Sequence, residues 1–158
     1  MRLAAIAAAR PASLTRLPPL ALDGYPEHRD ASALRRPGLG RLSGSLTELW
    51  PACGPLWDRL VLAGDRPILV ETKSRVSEFL SPASSAGAPA AARIARAFDT
   101  VRSDLRVDPS SDWSRTFRRY ANRLAVLWWL RAQGVNAALL CVSFRGGAEM
   151  AGPACAEP

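Results

Sequence analysis

Two short, mainly apolar runs separated by a turn signal predict a β-hairpin in the middle of the chain. The runs cover 57–62 and 67–73, and the residues between them, Ala63-Gly64-Asp65-Arg66, are typical of a tight turn. A third apolar run predicts a buried strand over 136–144. Together these runs predict three strands, of which the first two are antiparallel neighbours.

Apolar residues recur at helical spacing in two longer segments, which predicts two amphipathic helices. The first covers 90–106 and the second 116–133, where Gly134 is a stop signal. Their apolar stripes are Ile94, Phe98, Val101 and Leu105 in the first helix, and Phe117, Tyr120, Ala121, Leu124, Leu127 and Trp128 in the second. A shorter helix is predicted through Trp50, because Ser45-Leu46-Thr47-Glu48 has the form of a capping box.

The predicted elements divide the chain into three parts. Residues 1–45 are rich in proline and arginine and keep no helical or strand period, so we expect a disordered or loosely attached segment, or sequence upstream of the true start. Residues 46–145 contain all the predicted elements and form one α/β domain. Residues 146–158 are rich in glycine and proline and are predicted to be a flexible tail.

Charge and cysteine content restrict the classes of function. The net charge is +7 and the sequence pI is near 10.6, which favours nucleic acid as a partner, although coding bias toward arginine produces the same composition. Three cysteines without metal-ligand spacing argue against a disulfide framework and indicate a reducing, cytoplasmic location. No apolar run has transmembrane length, so no membrane partner is expected.

The strongest chemical signal is Lys73, the single lysine among 21 lysine and arginine residues. It follows Glu71 by two positions at the end of a predicted strand, so both side chains should point to the same side of the sheet. Asp58 lies near the start of the other hairpin strand, which should bring it to the same end. Two carboxylates and the Thr72 carbonyl offer oxygen ligands to Mg²⁺ or Mn²⁺, and Lys73 could neutralise charge on a phosphate.

These residues resemble the PD-(D/E)xK nuclease superfamily, which has the restriction-endonuclease-like fold. The resembling motifs are Pro55-Leu56-Trp57-Asp58 and, thirteen residues after that aspartate, Glu71-Thr72-Lys73. A further stretch, 120–130, is similar to an Ala-Asn-Arg-Leu helix in a group of uncharacterised bacterial proteins of this kind. The resemblance covers roughly 46–150 and implies an α-β-β-β-α-β core, a mixed sheet flanked by helices.

The resemblance also implies roles for individual residues. Asp58 and Glu71 would be metal ligands, Lys73 the catalytic lysine, and Glu48 an additional acidic ligand. The family pattern continues into a closing helix that the tail of this chain lacks, so the sequence indicates a member truncated at the C-terminus or inactive. Glu48 has a competing role in the capping box, and Asp58 has one in bonding nearby backbone amides.

The second long helix carries candidate substrate-binding residues. Arg119 and Arg123 are one turn apart and could bind substrate phosphates, or they form an ordinary solvated helix face. Asn122 is a weak helix former, so it is expected to contact substrate or to brace the active-site strand. The leading prediction is thus a metal-dependent phosphodiester hydrolase acting on nucleic acid. The alternative is a non-catalytic basic domain that binds nucleic acid or an acidic protein.

Overall fold

The computed structural model describes eight stretches of the chain, namely residues 13–17, 34–35, 37–52, 57–73, 80–81, 86–108, 110–115 and 117–143. Pro55 and Leu56 of the first motif and the predicted tail lie outside them. Of the three cysteines, only Cys141 lies within the described residues.

A four-stranded mixed sheet forms the centre of the domain. Its order is β1 (Leu14–Leu17), β2 (Arg59–Ala63), β3 (Arg66–Lys73) and β4 (Ala138–Ser143), with β1–β2 and β2–β3 antiparallel and β3–β4 parallel. The predicted hairpin is therefore confirmed. Its turn contains Gly64 at φ 64°, a left-handed conformation that glycine adopts at little cost.

Two features of the sheet differ from the sequence-based expectations. β1 pairs with β2 over its whole length, although we expected this segment to lack regular structure. Leu34, Leu39 and Leu42, from the same expected segment, are buried in the core. β4 is also an edge strand rather than a buried one, since Leu140 is 49% exposed. The sequence pattern missed β1 because this edge strand has only four residues and its partner strand lies far along the chain.

Three helices accompany the sheet in the described part of the chain: α1 (Ser43–Leu49), α2 (Ala88–Asp104) and α3 (Arg118–Ala132). The two long helices are confirmed, with ends about two residues from the predicted ones. The capping box is wrong, because α1 begins at Ser43 and its cap residue Leu42 makes no side-chain capping bond. A 3-10 turn at Gly40–Leu42 leads directly into α1 and moves its start upstream of Ser45.

The core lies where the helices pack on the sheet. Val101, Ala125 and Ala137 have no solvent exposure, and Leu130 has 1%. Other members come from every layer of the fold and include Leu46, Trp50, Trp57, Leu60, Leu69, Phe98, Val126 and Trp129. Burial of this apolar surface is the main favourable term in folding.

The architecture agrees with a mixed α/β class. The element order among the described residues is β-α-β-β-α-α-β, and the third antiparallel strand of the sheet, β1, precedes α1 instead of following the hairpin. Within the described stretches, none of the helices is long and apolar enough to cross a membrane.

Candidate functional site

The open end of the hairpin is held together by a side chain rather than by the backbone ladder. The last β2–β3 pair is Arg59 with Val70, so Asp58 lies just beyond it. Asp58 Oδ2 accepts a hydrogen bond from the Thr72 backbone N–H at 2.6 Å and another from the Thr72 hydroxyl at 2.7 Å. The carboxylate thus accepts the hydrogen bond that a carbonyl of the partner strand would otherwise accept. This agrees with the competing role predicted for Asp58, in which it bonds nearby backbone amides.

Glu71 is the central buried charge of the site, with 4% exposure. Its Oε1 pairs with the Lys73 ammonium, which confirms that these two side chains share one side of the strand. Its Oε2 accepts a hydrogen bond from Arg123 Nε at 2.9 Å and forms an ion pair with Arg123 Nη2 at 2.7 Å. Both carboxylate oxygens therefore have cationic partners, as a buried carboxylate requires.

Lys73 connects two of the oxygens that the sequence analysis assigned to a metal ion. Its Nζ donates to Glu71 Oε1 and, at 3.0 Å, to the backbone carbonyl of Thr72. The Lys73 side chain is 16% exposed, so the ammonium can be reached from solvent. A lysine stem is flexible enough to release these oxygens and extend outward.

Arg123 differs from its expected place on a solvated or phosphate-binding helix face. It is 6% exposed, its guanidinium carbon lies 5.4 Å from the Trp57 ring centroid, and its Nη1 donates to the Arg119 carbonyl at 3.3 Å. The guanidinium therefore lies between a carboxylate and an aromatic face. As a result, the Trp57-Asp58, Glu71-x-Lys73 and Asn122-Arg123 segments meet at one point.

The other predicted residues lie around this point or away from it. Asn122 is 8% exposed, and its Oδ1 has no hydrogen-bond partner within the described residues. Arg119 is exposed, and its backbone N–H donates to the Ser81 hydroxyl at 3.2 Å. Glu48 is exposed on α1, and in the described stretches no hydrogen bond or ion pair joins it to Asp58 or Glu71.

Two residues that sequence reasoning missed also adjoin the site. Cys141 on β4 is the register partner of Glu71, and its thiol lies beside the Tyr120 hydroxyl of α3. Both residues are partly exposed, and the partial burial of each raises the pKa of the thiol and also that of the phenol. Only the parallel pairing of β3 with β4, which the sequence pattern did not specify, would have revealed this neighbour.

The charges of the site balance. Asp58 and Glu71 contribute two negative charges, and Lys73 and Arg123 two positive ones. In the part of the chain that the structure describes, no group of three or more histidine, cysteine, aspartate and glutamate side chains could hold a metal ion. The oxygens of Asp58, Glu71 and Thr72 are nevertheless the ligand type that Mg²⁺ prefers, and that ion usually keeps several waters.

The chain was compared with protein families, curated proteins and solved structures. No family model, no curated protein and no solved structure matches this chain.

Proposed function

We propose that this protein is a metal-dependent phosphodiester hydrolase of the PD-(D/E)xK type that acts on nucleic acid, with Lys73 as its catalytic lysine. One observation carries the proposal: the Lys73 ammonium lies against both Glu71 Oε1 and the Thr72 carbonyl. Asp58 is bonded to the same Thr72. A protein cation thus already lies between oxygens that a divalent cation would use.

The residues present fit Mg²⁺ or Mn²⁺ once Lys73 moves. Asp58, Glu71 and the Thr72 carbonyl would hold the ion, because all three provide hard oxygen ligands. Bound there, the ion would polarise the phosphodiester and lower the pKa of a bound water. Without the ammonium, the remaining charge of Asp58, Glu71 and Arg123 is negative, which favours a divalent cation.

The protein side chains have separate tasks in this proposal. Arg123 fixes Glu71 Oε2 from the helix side and leaves Oε1 facing Lys73. Asp58 fixes the position of Thr72, and therefore the direction of its carbonyl, through two hydrogen bonds. Lys73, once released, would neutralise the charge that develops on the phosphoryl oxygens. The hairpin with its parallel neighbour β4 supports the fold resemblance.

The test is cleavage of supercoiled DNA, linear DNA and RNA with Mg²⁺ or Mn²⁺. Lys73→Ala and Glu71→Ala should abolish cutting. Arg96→Ala and Asp65→Asn are matched controls, because each removes one charge of the same sign from an exposed position, and they should cut like wild type. Metal-dependent cutting that survives both site substitutions would refute the proposal, since a contaminating nuclease would explain it better.

A second candidate function is a non-catalytic basic domain that binds nucleic acid or an acidic protein. The balanced charge of the site favours it, because both carboxylates already have partners within the protein. This candidate predicts salt-sensitive binding without dependence on metal. Calorimetry with Mn²⁺ separates the two candidates: binding that Asp58→Asn abolishes supports the hydrolase, and no binding to the wild type supports the basic domain.

A further inference from the structure

An aromatic cleft lies beside the site, where the turn before α3 meets the first turns of that helix. Its volume is about 490 Å³, and its lining includes Trp113, Phe117, Tyr120 and Leu124. Phe117 is 56% exposed and Tyr120 is 48% exposed. Aromatic rings usually bury most of their surface, so two exposed rings in one cleft indicate a site for a flat apolar ligand.

The wall of the cleft is fixed by contacts with the core and the turn. The Trp113 ring meets Phe98 edge to face at a centroid distance of 5.8 Å, and Phe98 meets Trp50 in the same way at 5.6 Å. Asp112 accepts a hydrogen bond from the Ser114 backbone N–H at 2.9 Å. A ligand would therefore meet a largely pre-formed wall, which reduces the entropy lost on binding.

Arginines lie near the cleft along the chain, although the charge of one of them, Arg115, is offset by its ion pair with Asp112, which lines the cleft. Arg118 and Arg119 are in the first turn of α3, whereas Arg123, one turn later, is buried and bonded to Glu71, so it is not available to a ligand in the cleft. Burial lowers the pKa of Arg118, and the neighbouring charges of Arg119 and Arg123 lower it further. A phosphate beside the cleft would meet the adjacent positive charges of Arg118 and Arg119.

Tyr120 joins the cleft to the candidate catalytic site. It lines the cleft, while its hydroxyl lies beside the Cys141 thiol, and Cys141 is the register partner of Glu71. A chain of nucleotides bound in the cleft would thus extend toward Lys73. Three features thus come together: two exposed rings, two cations in the first turn of α3, and a link through Tyr120 and Cys141 to the strand that carries Glu71.

We infer that this cleft binds an unpaired base of single-stranded nucleic acid, which stacks on Phe117 and Tyr120 while Arg118 and Arg119 contact the adjoining phosphates. Aromatic stacking accepts any base, and cations that track the backbone complete the usual arrangement for single strands. Bases inside a duplex have both faces covered by their neighbours, so they cannot enter a cleft of this kind. The inference rests on the proposed function and names its substrate as nucleic acid with unpaired nucleotides.

The experiment measures binding without metal, in EDTA, by the fluorescence anisotropy of three labelled probes. The probes are an oligodeoxythymidylate, an abasic strand of equal length and a duplex. Phe117→Leu removes the ring but keeps apolar bulk, Phe117→Tyr keeps the ring, and Leu105→Ala is a control at an exposed position outside the cleft. Phe117→Leu should weaken thymidylate binding about five- to a hundredfold, with abasic binding unchanged.

The other variants decide whether the ring itself matters. Phe117→Tyr and Leu105→Ala should bind thymidylate like wild type. Equal affinity for thymidylate and abasic strands, a preference for the duplex, or unchanged binding in Phe117→Leu would each overturn the inference. Metal-dependent cleavage that persists beside such a result would leave the hydrolase intact, because these binding measurements contain no metal.

Discussion

Arg123 contacts a single carboxylate oxygen of Glu71 through two nitrogens, with a hydrogen bond from Nε and an ion pair from Nη2, although the two residues are 52 positions apart in the chain. Both residues are more than nine-tenths buried, with exposures of 6% and 4%. The ion pair ties α3 to β3 and holds one side of the carboxylate. The other side faces Lys73, which is the partner with access to solvent. Oε2 of Glu71 therefore has a structural role, and Oε1 is the oxygen left for the proposed function.

Arg123→Met should destabilise the fold strongly, because it leaves a buried carboxylate with Lys73 as its only cationic partner among the contacts that the structure describes. Loss of one partner of a buried pair costs about 3–5 kcal/mol, and we expect the lower end because Lys73 remains. Urea unfolding measures the change. The double variant Arg123→Met with Glu71→Gln should recover part of it, and Arg96→Ala should stay within about 0.5 kcal/mol of wild type. A cost for Arg123→Met as small as that of Arg96→Ala would contradict the structural role.

Asp58→Ala and Asp58→Asn should separate the two roles of this residue. Alanine removes the acceptor of both Thr72 hydrogen bonds and should cost about 1–3 kcal/mol. Asparagine keeps a carbonyl oxygen in the same position and should cost clearly less, yet it removes the charge that the proposed metal needs. Thermal unfolding and Mn²⁺ calorimetry of the two variants check both points. Equal destabilisation by the two substitutions would mean that the Thr72 bonds do not hold the hairpin end.

Lys73→Met should bind Mn²⁺ more tightly than wild type while it loses catalysis. In the wild type the ammonium must leave Glu71 Oε1 and the Thr72 carbonyl before an ion can use them. A partly exposed ion pair is worth about 1 kcal/mol, which corresponds to about a fivefold change in affinity. Calorimetry at constant pH measures it, with Arg96→Ala as the control, because it removes one positive charge from an exposed position. Weaker Mn²⁺ binding in Lys73→Met would show that the ammonium does not compete with the ion.

Cys141 should react with iodoacetamide at higher pH in the folded protein than in the unfolded chain. The thiolate is the reactive form, and burial raises the pKa of this thiol, so the folded protein contains less thiolate at any pH below that value. Peptide mass spectrometry across a pH series, with and without urea, follows this cysteine alone. The hydrogen bond from Tyr120 lowers the same pKa, so Tyr120→Phe should slow the reaction further. Faster alkylation in the folded state would contradict this expectation.

Local pattern was sufficient for the regular elements around the site. The hairpin and the two long helices were predictable because a strand or helix with one buried face leaves a period in the sequence. The contact between Glu71 and Lys73 followed from the alternation of a single strand. β1 was not predictable, since four residues carry too little pattern and their partner strand is supplied from far along the chain.

The sequence by itself determined which groups end the hairpin and that a carboxylate and an ammonium lie side by side there. Only the tertiary structure decided what these groups contact. It paired β4 with β3, buried Arg123 against Glu71 and left Phe117 and Tyr120 exposed in one cleft. The physical reason is that helical and strand periods act over a few residues, whereas the burial of a charge is decided by whichever distant element supplies its partner.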